Sequence, residues 1–374
     1  MNRTLLFITA LFVLIFMSCQ STKKNNAERQ NEVELVAEKQ LAFPLDEQTY
    51  YLSISIYQFE ENGKEYLHFE NTRKSLYDIV IFDIENKQIA KRIPLHKTGP
   101  NGLPAVYGSR PSPDSKYILI AQNDISRLSS INDKGEVIRN YDFQTPDGKF
   151  APLHFGSYYN TPAFVKDSCL FVEMSAHKPN MKKKDWPETH MFASQDLRTG
   201  EVKWIPIFYP PIFKEEYDNI AGGYGFSYDY NYKESRLVCG FFGYDSLMVT
   251  DDLKHIRWYN AKSRYLKSMK PKLGNSMEGI NAIIKLRETP KYWHIMYDKY
   301  RNVYYRFAEM PYKLAPNESP YDEPKGKEFS VIVLNEDFEI IGETRFPGKK
   351  YFYKMSFVGS SGVPVQTRFP PAFP

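Results

Sequence analysis

Residues Phe329 to Phe346 read FSVIVLNEDFEIIGETRF. An apolar run, Val331 to Leu334, meets a polar turn at Asn335, Glu336 and Asp337, and a second run resumes with Phe338, Ile340 and Ile341. A compact polar group between two β-branched runs signals a hairpin. A lone hairpin is marginal in water, so a chain built of them must stack them into a larger β architecture.

The pattern recurs. Ile79 to Phe82 leads through Asp83 and the turn Glu85 to Lys87 into Ile89 and Ile93. Leu128 to Phe143 turns at Asn132 to Gly135, and Met191 to Ile207 turns around Asp196 and Gly200. Leu247 to Tyr259 turns at Asp251 and Asp252, and His294 to Phe307 turns from Asp298 to Asn302. The first acidic or amide residue of each turn falls at 83, 132, 196, 251, 298 and 335, with intervals of 49, 64, 55, 47 and 37. A period of about 50 residues is the size of a four-stranded propeller blade. Between the hairpins there is room for two more strands, such as Tyr117 to Ile120, Cys169 to Val172 and Arg236 to Cys239. Upstream, Tyr51 to Tyr57 alternates with period two and Tyr66 to Phe69 forms a short run.

The expectation is an all-β fold: a β-propeller of about six four-stranded antiparallel blades over residues 41–358. Radial packing of small twisted sheets leaves only short edges. An irregular pair of β-sandwiches is the competing architecture. Composition agrees with strands and turns. The 374 residues include 28 Tyr and 26 Phe, which favour strands, and scattered Pro (25) and Gly (20), which favour many turns. Net charge is +4, or +3 once Arg3 is removed, and no basic run makes a nucleic-acid footprint. Lys182 to Lys184 reads as a solvated loop.

Arg3 and the apolar stretch Leu5 to Met17 have the charge and length of a secretory signal. Ser18-Cys19 at its end resembles the lipobox of bacterial lipoproteins, with Phe16 and Met17 departing from the usual pattern. The resemblance implies a signal peptide over 1–18, lipidation of Cys19 and a polar tether over 19–40. Several acyl chains on one residue make a stable anchor. Gln20 is not the Asp that resembles an inner-membrane retention signal, so the expected address is the outer membrane facing the periplasm.

Arg110 to Ile118 (RPSPDSKYI) resembles the turn-strand of TolB-like propellers. Ile93-Pro94-Leu95 with Gly99 to Gly102, Tyr297 to Arg306, and Phe329 to Phe346 resemble an uncharacterised family of Bacteroidota lipoproteins with a six-bladed, TolB-like propeller. That resemblance implies a fold and an envelope location and carries no catalytic assignment. Such proteins continue past a point corresponding to Gly359–Gly362, whereas residues 359–374 here form an irregular tail rich in proline, which cannot make a central strand. Either ring closure draws on N-terminal strands such as Tyr51 to Tyr57, or the last blade is incomplete.

Chemistry is harder to find. The seven histidines have no metal-ligand spacing and no CxxC pair occurs, so no metal and no cofactor is expected. Asp229 to Lys233 opens like a calcium loop but places Lys233 at a ligand position and lacks the turn glycine. Gly222 to Gly225 lacks the strand and helix of a phosphate loop. Tyr297, Tyr300, Arg301, Tyr304, Tyr305 and Arg306 suit contact with a protein or glycan through stacking and forked hydrogen bonds. They serve equally as packing between blades. Asn101, in the Gly99–Gly102 loop, is a further candidate contact, and the same loop suffices as a turn. Cys169 and Cys239 read as buried free thiols, although an oxidising envelope permits a disulfide. The resulting expectation is a lipid-anchored envelope protein that binds a ligand or protein without catalysis. The alternative is a propeller enzyme, a lyase or glycan-active hydrolase, with its site at the central channel.

Overall fold

The structure, a computed structural model, describes residues 32–38, 43–49, 56–71, 77–112, 116–122, 127–143, 160–174, 190–210, 225–267, 269, 279–316, 318–319 and 327–365. Five four-stranded sheets follow one another along the chain, each an antiparallel meander whose neighbours in sequence are neighbours in space. Blade 1 holds β1 (Ile56–Glu61), β2 (Lys64–Asn71), β3 (Asp78–Asp83) and β4 (Gln88–Pro94). Blade 2 holds β5 (Ser109–Pro111), β6 (Ile118–Gln122), β7 (Arg127–Ile131) and β8 (Val137–Asp142). Blade 3 holds β9 (Phe164–Lys166), β10 (Cys169–Glu173), β11 (His190–Asp196) and β12 (Val202–Phe208). Blade 4 holds β13 (Phe226–Asn231), β14 (Arg236–Phe241), β15 (Ser246–Thr250) and β16 (Arg257–Asn260). After helix α1 (Gly279–Glu288), blade 5 holds β17 (Lys291–Asp298), β18 (Val303–Glu309), β19 (Phe329–Leu334) and β20 (Ile340–Phe346).

The turn residues explain the hairpins. The side chains of Asp83, Asn132, Asp196, Asp252, Asp298 and Asn335 each accept a backbone N–H two or three residues further on. This local bond stabilises the reversal of the chain. Middle strands such as β6 and β19 are buried along their whole length, while outer strands such as β8 and β16 face solvent. The first strand of each blade is therefore the innermost.

The described residues make five blades, not six, and this corrects the sequence expectation. The turns at 83, 132, 196, 251 and 335 each join the third and fourth strands of a blade. The turn at 298 joins β17 to β18, the first pair of the last blade. Two hairpins of one sheet thus resembled two blades. The real last interval, from 251 to 335, is long because it also carries α1 and the connection from β18 to β19. The last blade is also complete: β17 to β20 pair in order, so Phe329–Phe346 supplies its third and fourth strands.

Four of the five junctions between blades are continuous apolar clusters. Ile79 and Ile93 of blade 1 meet Ile118 and Ile120 of blade 2. Leu119 meets Leu170 across blades 2 and 3, Phe192 meets Tyr228 across blades 3 and 4, and Val249 meets Ile332 across blades 4 and 5. The junction of blade 5 with blade 1 differs. Each side keeps its own cluster, and the tail links them, with Tyr353, Val358 and Val363 packing on blade 5 and Phe357 on blade 1. Polar contacts complete this seam. The Tyr300 hydroxyl lies between Glu60 and Glu65, 2.7 Å from the latter, and Lys299 pairs with Glu60 at 2.6 Å. The Ser360 N–H donates to Glu65 at 2.9 Å, and Arg301 donates to the Ser360 carbonyl at 2.9 Å.

Residues 32–38 lie on the outer edge of blade 5. The Val33 N–H donates to the Ile341 carbonyl at 2.8 Å and the Leu35 N–H to the Thr344 hydroxyl at 2.8 Å. Gly342 permits this approach, because a Cβ there would sit 2.0 Å from the Val33 carbonyl oxygen. Gly342→Ala should therefore lift the segment and lower stability by roughly 1–3 kcal/mol in urea titrations. In a chain lacking residues 1–38 the same substitution should cost under about 0.5 kcal/mol. Equal costs in both backgrounds would contradict this packing.

Candidate functional site

All five innermost strands contribute to a polar cluster on the propeller axis. Tyr57 comes from β1, Arg110 from β5, Val165 from β9, Asp229 from β13 and Tyr297 from β17; Tyr232 follows directly after β13. The Arg110 guanidinium is the hub. Its Nη2 donates to the Tyr57 hydroxyl at 2.7 Å and to the Tyr232 hydroxyl at 3.2 Å. Its carbon lies 4.6 Å from the centre of the Tyr57 ring, a cation–π contact. The Val165 N–H also donates to the Tyr232 oxygen, at 3.3 Å. Arg110 is 3% exposed, and its Nε has no partner among the described residues.

Two titratable groups flank this hub. Asp229 accepts the N–H of Tyr230 at 2.8 Å and that of Tyr297 at 2.8 Å, which ties the inner strands of blades 4 and 5. Burial pushes its carboxyl up to about 6, against the pull of those two N–H donors and of the Arg110 charge. His68 is fully buried, with Nε2 2.6 Å from the Ser109 hydroxyl. Burial, helped by the Arg110 charge, pushes its imidazole down to about 3, so it is neutral at pH 7.

Tyr232 also walls a groove of about 680 Å³ formed by blades 2, 3 and 4. The groove opens on the face that carries the turns joining β9 to β10, β11 to β12 and β13 to β14. Buried Tyr141 and Tyr230 form its floor, and half-buried Tyr117 and exposed Tyr232 offer ring faces. Lys166, Arg139 and Arg198 bring positive charge, against Asp167 and against Asp196, which pairs with Arg198 at 3.0 Å. Arg139 is held in place by the Leu197 carbonyl at 3.2 Å and by the Tyr141 ring at 4.9 Å.

Of the residues singled out from the sequence, Tyr297 reaches the axis through its backbone N–H, and most of the others are engaged elsewhere within the fold. Tyr300 and Arg301 belong to the seam. The Tyr297 hydroxyl donates to Asn302 at 3.0 Å, and the buried Tyr304 hydroxyl accepts from Asn231 at 3.0 Å. Tyr305 donates to Asp298 at 2.9 Å. Arg306 is 1% exposed; it stacks on Tyr292 at 3.5 Å and donates to the carbonyls of Phe241, Tyr244, Asp245 and Ala261. Asn101 accepts the Val137 N–H at 3.0 Å, which ties its loop to the start of β8. Cys169 and Cys239 are unpaired, the first half-buried and the second buried. Cys19, Lys182 to Lys184, and Gly222 with Gly223 lie outside the described residues. Among the described residues no three His, Cys, Asp or Glu side chains cluster as a metal site.

Sequence reasoning used Arg110 only as part of a turn signature, and met Tyr232 only in the rejected calcium loop. The one local signal for the axis is an arginine in the innermost strand of a blade, where its side chain is buried.

The family model described as "Domain of unknown function (DUF4221)" matches residues 32–345. A crystal structure of a DUF4221 family member from Bacteroides vulgatus shares 87% identity over 90% of this chain and 93% of its own, with a TM-score of 0.85. A putative exported protein from Bacteroides fragilis shares 9% identity over 82% of this chain and 74% of its own, with a TM-score of 0.48. No curated protein matches the chain.

The Asp229 carboxyl gives a pH test. Its folded pKa lies above its unfolded value of about 3.8, so the native state holds the proton more tightly. Its contribution is most favourable below pH 4, declines as pH rises, and levels off above pH 6. Asp229→Asn keeps an acceptor for Tyr297 and removes the titration. The variant should gain roughly 1–3 kcal/mol on the wild type between pH 4 and pH 7 in denaturant titrations. A pH-independent difference would contradict the burial of this carboxyl.

Proposed function

The chain belongs to the DUF4221 family. We propose that it is a lipid-anchored cell-envelope protein whose propeller binds a glycan without transforming it. The observation that carries the binding reading is the groove of about 680 Å³ walled by four tyrosines and three cations. Its size suits several sugar rings or a comparable ligand. Tyrosine presents a flat apolar face to a sugar ring and a hydroxyl to its polar rim, at little cost in side-chain entropy. The excess of positive charge favours a glycan that carries acidic groups.

The address rests on the sequence at the N-terminus, where Leu5 to Met17 and Ser18-Cys19 have the form of a lipoprotein signal. Lipidation of Cys19 would hold the propeller at the outer membrane, facing the periplasm, with residues after Cys19 as the spacer. A propeller enzyme, a lyase or glycan-active hydrolase, is the second reading. The convergence of Arg110, Tyr57, Tyr232 and Asp229 at the axis favours it, because charge and titratable groups meet there in a water-poor setting.

Tyr117→Ala should weaken retention of acidic envelope polysaccharide in affinity electrophoresis by about tenfold. Trp258→Ala, on the outer strand of blade 4, should leave retention unchanged. Equal retention of all three proteins would remove the groove from the account, and release of shortened or unsaturated glycan by the wild type would favour the enzyme. Cys19→Ala should move the protein from the membrane fraction to the soluble fraction; membrane retention of that variant would contradict the anchor.

A further inference from the structure

We propose that Arg110 is the seat of a small carboxylate, bound on the propeller axis between the hydroxyls of Tyr57 and Tyr232. The seat goes beyond the groove reading and stands whether or not the groove holds a glycan.

An arginine keeps its charge at any physiological pH. Burying it without a counter-charge is costly. Arg110 is 3% exposed, and among the described residues no carboxylate forms a salt bridge with it; Asp229, ionised at pH 7, acts on it only from beyond salt-bridge distance. Its two partners are neutral hydroxyls that accept from its Nη2. The Tyr232 oxygen accepts a second bond from the Val165 N–H, so its own proton must go to some further acceptor. No described residue accepts from the Tyr57 or Tyr232 hydroxyl. The Arg110 Nε–H is likewise buried without an acceptor. Three neighbouring donors, one of them cationic, are therefore left without an acceptor among the described residues.

Arg306 shows what a structural buried arginine looks like in this protein: its Nε–H also lacks an acceptor, and the difference from Arg110 lies in what its Nη groups meet. It donates to four carbonyl oxygens and stacks on Tyr292 at 3.5 Å, so backbone dipoles surround its charge. Arg110 has none of these carbonyls among its hydrogen bonds. His68, beside it, is neutral and contributes no counter-charge.

A carboxylate fits better than the alternatives. It adds only one charge beside Asp229, and its planar pair of oxygens can take two of these donors together. A phosphate dianion would bring surplus negative charge close to Asp229. Access is by way of Tyr232, which is 47% exposed and stands between the groove and the axis.

The test is calorimetric titration of the mature protein with sodium acetate at pH 7 and fixed ionic strength. Acetate should bind the wild type. Arg110→Gln, which keeps donors but removes the charge, should weaken binding at least about tenfold. Tyr57→Phe and Tyr232→Phe, which keep the rings and remove one donor each, should each weaken it several-fold. Arg139→Gln, in the groove, should leave it unchanged. Should Arg110→Gln fail to fold, crystals of the wild type soaked in bromoacetate should show an anomalous bromine peak beside the Arg110 guanidinium. Absence of that peak, or a peak only at Arg139, Arg198 or Lys166, overturns the proposal. So does acetate binding that ignores the tyrosine substitutions, or binding of inorganic phosphate with none of acetate.

Discussion

A ring of blades depends on its last closure. Here, among the described residues, that closure joins blade 5 to blade 1 without the continuous apolar interface that fixes the other four junctions. Separate clusters around Phe329 and Val80 are bridged by the tail, through Tyr353, Phe357 and Val358. A polar clasp is added where Tyr300 meets Glu60 and Glu65, and where Ser360 meets Glu65. Exposed hydrogen bonds and ion pairs of this kind contribute little one by one, whereas each buried apolar side chain is worth roughly 1.5–3 kcal/mol. The tail is therefore the structural element that makes five sheets into a ring.

Closure in turn sets the axis. Only in a closed ring do Tyr57 of the first blade and Tyr232 of the fourth reach the same guanidinium. Five innermost strands leave little space at the centre, so the cluster there is desolvated. The same desolvation holds His68 neutral and raises the Asp229 carboxyl. The contrast between Arg306, wrapped by carbonyls, and Arg110, met by hydroxyls, follows from position. Arg306 lies between two blades where strand ends present carbonyl oxygens, and Arg110 lies where inner strands present side chains.

Much of the fold was legible because its signal is local. The runs at Ile79–Phe82, Arg236–Cys239 and Phe329–Phe346 are strands, and the acidic or amide residues after them form the turns that their side-chain chemistry suggests. The blade count was not legible. A turn after a first strand, such as Asp298–Asn302, has the same chemistry as a turn after a third strand, such as Asn335–Asp337. Only pairing distinguishes them, and pairing of β18 with β19 spans a long connection. The site was less legible still. Residues 57, 110, 165 and 232 share no motif and meet only through the ring. The Tyr and Arg residues from 297 to 306 stand out in the sequence because they pack a blade and close a seam, which are also reasons for aromatic and guanidinium side chains to be present.

Native-state hydrogen exchange on the intact protein tests the closure most directly. If the tail and the Tyr300 clasp hold the ring, the amides of β1, β2, β19 and β20 should open together, at a lower free energy than those of β9 to β16. Removing residues 353–374 should speed exchange in that same group first. Uniform protection across all five blades, or earliest opening within blades 3 and 4, would contradict the account.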